Sequence, residues 1–459
     1  MDTPLYLSSS QASTLTKKQE KYRLGTSVLI AIAFSSVFFS RVLDTLGAPS
    51  IINFAHFALV PLATWVALTK TRIRDREQRE MVYTILCFIF IFLSVVLIST
   101  LVNNAGIINA ILAFLLWVEP FFLLVAILCL PSQLNLISRL QKWILYAFVF
   151  HTLLAFVQHY VLHLYRLPGL EDNIQGVFYR SGSGHVVGAS VALDFGVYWL
   201  FTGKQYPLWL RSVFLLAAFW HMLLSDAKQV LLYMLVGGVL LLLSKLKNLV
   251  ETIKCLAVGA VVGLTLHWCI QNLAAFSAFN TWMRPEIYGS DGEATLLKFS
   301  AFRIVPSFYQ SSWNFLFGLG PGHTVDRLGG WMLFEYWNLL GPLGATTHPA
   351  SISVWQAVGA SWLGDQSSMF SPLFGWAAIW GDFGWIGLVS FFGLCTVVYL
   401  KVCNDDVSKY LMFTALAVGL IFSQLQEPGY TMAIALFIGF RWHEKRLFEA
   451  AESSQANNL

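Results

Sequence analysis

MVYTILCFIFIFLSVVLISTL, residues 81–101, contains no charged side chain and follows RIRDREQRE, residues 72–80, where charge dominates. At 1.5 Å of rise per residue, a helix of about 20 apolar residues crosses the roughly 30 Å hydrocarbon core of a bilayer. The stretch is therefore predicted to span a membrane from a basic flank. Similar runs recur at 25–43, 51–69, 108–130, 143–165, 185–201, 209–224, 229–244, 252–271, 383–400, 409–425 and 430–442. Together they predict an all-α polytopic bundle of about 12 transmembrane helices. The runs at 209–224 and 430–442 are short, as spans ending at a recessed, water-filled cavity would be.

Composition agrees: of 459 residues 57% are apolar and 12% charged, against about 25% charged in a soluble domain. That excludes a soluble globular enzyme. The net charge of +4 is too small an excess to indicate a nucleic-acid partner. The polar start, with Lys17, Lys18, Lys21 and Arg23, is too long to precede a cleavable signal, so 1–24 is predicted as a cytoplasmic tail. Cytoplasmic segments then hold 21 of the 29 Lys and Arg residues, as the positive-inside rule requires. Arg72, Arg74 and Lys247 are among them. Outside remain Arg41, Arg166, Arg180, Lys228, Arg284, Lys298, Arg303 and Arg327. Both termini face the cytoplasm in this reading, with 443–459 the second tail.

Residues 272–382, between the spans grouped at 25–271 and 383–442, form one large external loop, and long loops commonly carry function. Apolar spacing around Arg303 predicts helix in 295–317, and 366–382 reads as an aromatic helix at the interface. Eight of the 17 tryptophans lie in this loop, Trp313 among them. An aromatic belt and sugar stacking both account for them. The two halves of the chain show no repeat, which disfavours repeat-built transporters. The six cysteines imply neither a disulfide framework nor a metal site.

Three external segments each bring a cation to the outer bilayer surface: Arg180 in GVFYRSGSGHVVGAS (176–190), Lys228 in SDAKQ (225–229), and Arg303 ahead of GLGPGH (318–323). A diphosphate at headgroup level needs such donors, which hold its oxygens and stabilise it as a leaving group. Snorkelling is the plain alternative for each cation.

The order and membrane placement of GVFYRSGSGH (176–185), SDAKQ (225–229), FRIVPSFYQSSWNFLFGLGPG (302–322) and GDFGWIGL (381–388) resemble the O-antigen ligase and polymerase superfamily. The resemblance covers most of the chain. It implies a helical bundle in a bacterial inner membrane, with an active site facing the periplasm. The implied reaction moves a glycan from an undecaprenyl-diphosphate carrier to an acceptor sugar, with no metal, nucleotide or other cofactor. By the resemblance, Arg303 and Lys228 are diphosphate clamps, and Arg180 joins them. Lys228 departs from the family's Arg, and a point ammonium cannot offer a bidentate fork. Arg303 precedes Trp313 and the glycine-rich turn, as in the family. Ligases carry a His-Asn pair shortly before the final glycine entry, whereas MFSPLFGWAAIWGDFG (369–384) has no His. That favours a repeat-unit polymerase over a ligase.

A hydroxyl acceptor needs a group to take its proton. His348, in GATTHPASIS, lies beyond Arg303 at a distance resembling the ligase Arg-to-His gap, and is the favoured base. His323 in GPGH is the second choice; Asp365, Asp382 and Glu427 are acidic alternatives, although Glu427 before Pro428 and Gly429 also reads as a turn. Inside the membrane, Glu119 and Asp194 occupy expensive positions that are functional by default. Glu119 also suits a role beside the Pro120 kink, and Asp194 one beside a cation in the cavity. The GLGPG turn needs backbone freedom, and phosphate cradling by its amides is the weaker alternative. The expected function is thus polymerisation of lipid-linked repeat units. Donor and acceptor are both lipid-linked, membrane lipids surround the chain, and a chain-length regulator or flippase is a further partner. A ligase, or a twelve-span lipid or polysaccharide transporter, is the alternative.

Overall fold

The computed structural model describes residues 25–456, except 72, 74, 133, 181–182, 247–248, 365–369, 371, 373 and 422. Expectations placed on Lys17, Lys18, Lys21, Arg23, Arg72, Arg74, Lys247 and Asp365 lie outside the described residues, as do 181–182 of the Arg180 motif. The chain is helical, with no strand among the described residues. Its longer helices are α1 (Gly25–Phe38), α2 (His56–Lys70), α3 (Arg76–Val102), α4 (Ile107–Leu128), α5 (Leu134–Phe156), α6 (Gly184–Thr202), α7 (Leu208–Leu224), α8 (Gln229–Leu243), α9 (Leu249–Asn272), α10 (Phe374–Lys401), α11 (Asp406–Val418) and α12 (Pro428–Ala456). Among the described residues, seven helical segments are long and apolar enough to cross a membrane: Ser50–Lys70, Arg76–Val102, Ile107–Leu128, Leu136–Val161, Gly184–Thr202, Thr252–Asn272 and Gly375–Lys401. α1, α7 and α8 are shorter apolar helices.

Local chemistry sets the boundaries. Asp75 caps α3 by accepting from the Glu77 and Gln78 amides at 3.2 and 3.4 Å. Asp405 and Ser408 close a capping box at the start of α11. Helix α12 continues well past 442, where a tail was expected, because Arg441–Glu444 and Lys445–Glu449 pair at helical spacing. The expected helix over 295–317 is instead Glu293–Lys298, Ser300–Ile304, a 3-10 turn Val305–Phe308 and Ser312–Phe317. Pro306 lacks an amide for the ladder, and a Ser311–Asn314 capping box starts the chain afresh.

Contacts distinguish the two ends of the bundle. At one end Arg446 meets Asp75 at 2.5 Å, Arg441 meets Asp405 at 2.5 Å, Lys245 pairs with Asp406, and the Ser132 hydroxyl lies 3.0 Å from His443. At the other, the short helices between 274 and 359 are tied to the α3–α4 turn. Asn109 Nδ2 donates to the Pro321 and Thr346 carbonyls at 3.0 and 2.9 Å, and Asn314 donates to Asn103 at 2.7 Å. Between the ends, stacked rings fill the centre, with Phe148 4.6 Å from Phe195 and 5.2 Å from Phe437. Without water to drive association inside a bilayer, such packing supplies the helix–helix attraction.

Helix α10 breaks at Gly384, where φ is +66° and ψ −164°. A Cβ there would sit 2.3 Å from the Leu316 carbonyl carbon. We expect Gly384→Ala to destabilise the protein by about 3 kcal/mol through conformation and clash together, read as a lowered thermal midpoint in detergent; an unchanged midpoint would show that this break can relax.

Candidate functional site

The GLGPG turn at 318–322 has φ of +70°, +106° and +70° at its three glycines, as its sequence requires. It is seated on the start of α10. Leu319 and Gly320 donate to the Gly381 and Asp382 carbonyls at 2.9 and 3.0 Å. The Asp382 carboxylate accepts from the Gly322 amide at 2.7 Å, the Thr324 amide at 3.0 Å and the Thr324 hydroxyl at 2.6 Å. Gly318 and His323 donate to Asn314 and Gly320. The turn's amides are thus engaged by the protein, and no phosphate cradle remains.

Beside Asp382 lies Asp326, which accepts from the Gly329 amide at 2.5 Å and from Gln426 at 3.2 Å. Burial pushes the Asp326 carboxyl up to about 6. Gln426 turns its other end to the Arg327 amide at 2.7 Å. The α10 start, the turn and the entry to α12 therefore form one hydrogen-bonded block. The folded protein keeps the Asp326 proton up to about pH 6, whereas an unfolded chain loses it near 3.8. Stability from this group is complete below about pH 4 and lost as pH rises through 6. Thermal midpoints from pH 4.5 to 7 should fall with a shallower slope in Asp326→Asn; equal slopes would remove Asp326 from this role.

Arg327 opens onto a cavity of about 50 Å³ that is also lined by Arg41, Asn53, His56, Trp331 and Glu427. Arg327 pairs with Glu427. Its guanidinium carbon lies 5.3 Å from the Trp331 ring centre, and that of Arg41 lies 5.8 Å from the same ring. Burial and the nearby Arg41 charge lower Arg327 to about 9, so it stays charged at neutral pH. Arg41 meets Asp44 at 3.8 Å and donates no hydrogen bond among the described residues, which leaves its N–H fork for a ligand. At the cavity, His56 Nδ1 is 2.8 Å from a carboxylate oxygen of Glu119. Two cations held against one ring repel, and a bound anion relieves that repulsion.

Each cation singled out in the sequence has its own surroundings. Arg303 is exposed and donates to the Leu296 carbonyl at 3.0 Å. Lys228 pairs with Asp226, and His185 lies 3.5 Å from Asp172. Arg180 is exposed, with φ of +60°. Trp313 is 56% exposed and 6.0 Å from the Phe317 ring, which suits an aromatic belt. Asp194 is fully buried in α6, and neither carboxylate oxygen has a hydrogen-bond partner among the described residues.

His323 and His348 do come together, their ring centres 5.3 Å apart. His323 Nδ1 donates to the Leu319 carbonyl at 2.8 Å, and its Nε2 faces the Thr346 hydroxyl at 2.8 Å. Burial lowers His323 to about 4. His348 caps the helix Pro349–Gly359 by accepting from the Ala350 amide through Nδ1 at 3.1 Å, and burial lowers its pKa too. The lone pair that a general base needs is engaged in both rings.

No family model, curated protein or solved structure gives a significant match. Arg41 and Arg327 were placed outside by the charge reading but not marked as site residues. Glu427 was noted as an acid and Glu119 as an intramembrane one. Nothing in sequence marked His56, a single His at a helix start.

Proposed function

We propose that the chain is a membrane glycosyltransferase that joins polyprenyl-diphosphate-linked oligosaccharide repeats into a polymer. The observation that carries this reading is the convergence of Arg41 and Arg327 on Trp331, with Glu427 and the His56–Glu119 pair lining the same opening. The guanidinium groups hold the diphosphate and take up its growing negative charge as the anomeric C–O bond breaks. Binding of the diphosphate to Arg327 frees Glu427. An acceptor hydroxyl then attacks the anomeric carbon and gives its proton to the Glu427 carboxylate. Trp331 offers an aromatic face to a sugar ring. In this reading Arg303, Lys228 and Arg180 guide the anionic headgroup toward the opening.

The proposal includes twelve passes, with α11, α12 and the shorter apolar helices crossing beside the seven long segments. Both termini lie in the cytoplasm of a bacterial cell, and the opening faces the periplasm. Purified protein reconstituted with a synthetic lipid-diphosphate-linked repeat should yield a product ladder on a gel. Glu427→Gln should slow its growth about 100-fold. Transfer only to a foreign acceptor would assign a ligase. No transfer to either acceptor would overturn the glycosyltransferase reading in favour of transport.

A further inference from the structure

The end of the bundle opposite the proposed site holds a much larger opening, a cavity of about 800 Å³ between the start of α5, the α6–α7 turn and α12. That volume is in the range of small-molecule and lipid sites. Its acidic groups are engaged by the protein. Asp405 accepts from Arg441 at 2.8 Å and from the Ser408 amide at 3.0 Å. Glu444 takes Tyr198 at 2.9 Å, Gln141 at 2.5 Å and Arg441. Two cations at the rim are not so engaged: Lys142 and Lys204 are exposed and enter no ion pair among the described residues. The remaining wall is apolar, with Leu145, Phe201 and Phe448 lining it; Phe201 and Phe448 are 55% and 63% exposed.

A cationic rim over an apolar wall, set at the end of the helices, matches a molecule that is anionic at one end and hydrocarbon at the other. A free polar anion would leave the aromatic wall against water, and a lipid without net charge would gain less from the two ammonium groups than an anionic one. We propose that this cavity binds one anionic phospholipid from the leaflet at that end. Its phosphate lies between Lys142 and Lys204, and an acyl chain lies along Leu145, Phe201 and Phe448. The site joins α5, α6 and α12, so its occupant ties three helices together. It is separate from the Arg41–Arg327 opening and does not depend on the reaction proposed there.

The test is native mass spectrometry of the full chain in detergent, titrated with phosphatidylglycerol and, separately, with phosphatidylcholine of the same acyl chains. Phosphatidylglycerol should bind at least about tenfold more tightly, and K142Q/K204Q should weaken it about thirtyfold while leaving phosphatidylcholine unchanged. K142R/K204R should restore the binding, which separates lost charge from lost fold. Equal affinity for the two lipids, or an unchanged affinity in K142Q/K204Q, would overturn the proposal. Displacement of phosphatidylglycerol by millimolar inorganic phosphate would also overturn it, by assigning the rim to free phosphate.

Discussion

Arg327→Ala should abolish polymer growth in the reconstituted assay, with a loss of about a thousandfold, while Arg303→Ala should cost less than about fivefold. The difference follows from placement. Arg327 is largely buried, ion-paired with Glu427 and packed on Trp331 beside a second guanidinium. A charge held in that setting is preorganised for a developing phosphate anion. Arg303 is exposed, with water to screen it. Arg327→Lys should recover only part of the rate, because an ammonium offers no planar fork. Wild-type rates in Arg327→Ala, at normal protein level, would remove the clamp. A deep loss in Arg303→Ala alone would return the chemistry to the loop cation that the family resemblance favours.

Asp382→Ala should destabilise the protein by about 4 kcal/mol. The carboxylate accepts from two amides and one hydroxyl, all buried. Its removal leaves those donors unsatisfied, and each such group costs about 1–3 kcal/mol. Asp382→Asn keeps one accepting oxygen and should lose less than half as much. Thermal unfolding in detergent measures both. Equal loss in the two variants would mean that charge, not hydrogen bonding, holds the GLGPG turn in place.

The membrane-spanning character of 81–101 was legible because 21 positions without charge leave a helix little choice of solvent. The break-up of 295–317 was less legible, since apolar spacing persists through it while Pro306 and the Ser311 cap act locally. The charge pattern placed Arg41 and Arg327 outside and went no further. Which two of the cations converge is decided by packing between segments far apart in the chain. Glu427 shows the same limit: its neighbours Pro428 and Gly429 do mark a turn, yet the turn aims a carboxylate at Arg327. The His323–His348 contact shows the reverse. Both residues were marked, and they do meet, but each ring's hydrogen bonds occupy it with holding the backbone.

The Arg41–Arg327–Glu427 opening draws its parts from the first helix, the long middle segment and the entry to the last helix. Ribosomes add about 5–20 residues per second, so roughly 20–80 s separate the synthesis of Arg41 from that of Glu427. For the last 100 residues of that interval, about 5–20 s, Arg327 has no carboxylate to meet, and in the proposed reaction a chain that stops before Glu427 lacks its base. In the proposed reaction, competence thus arrives only with insertion of the final helix, and an unfinished chain does not act on a lipid-linked glycan.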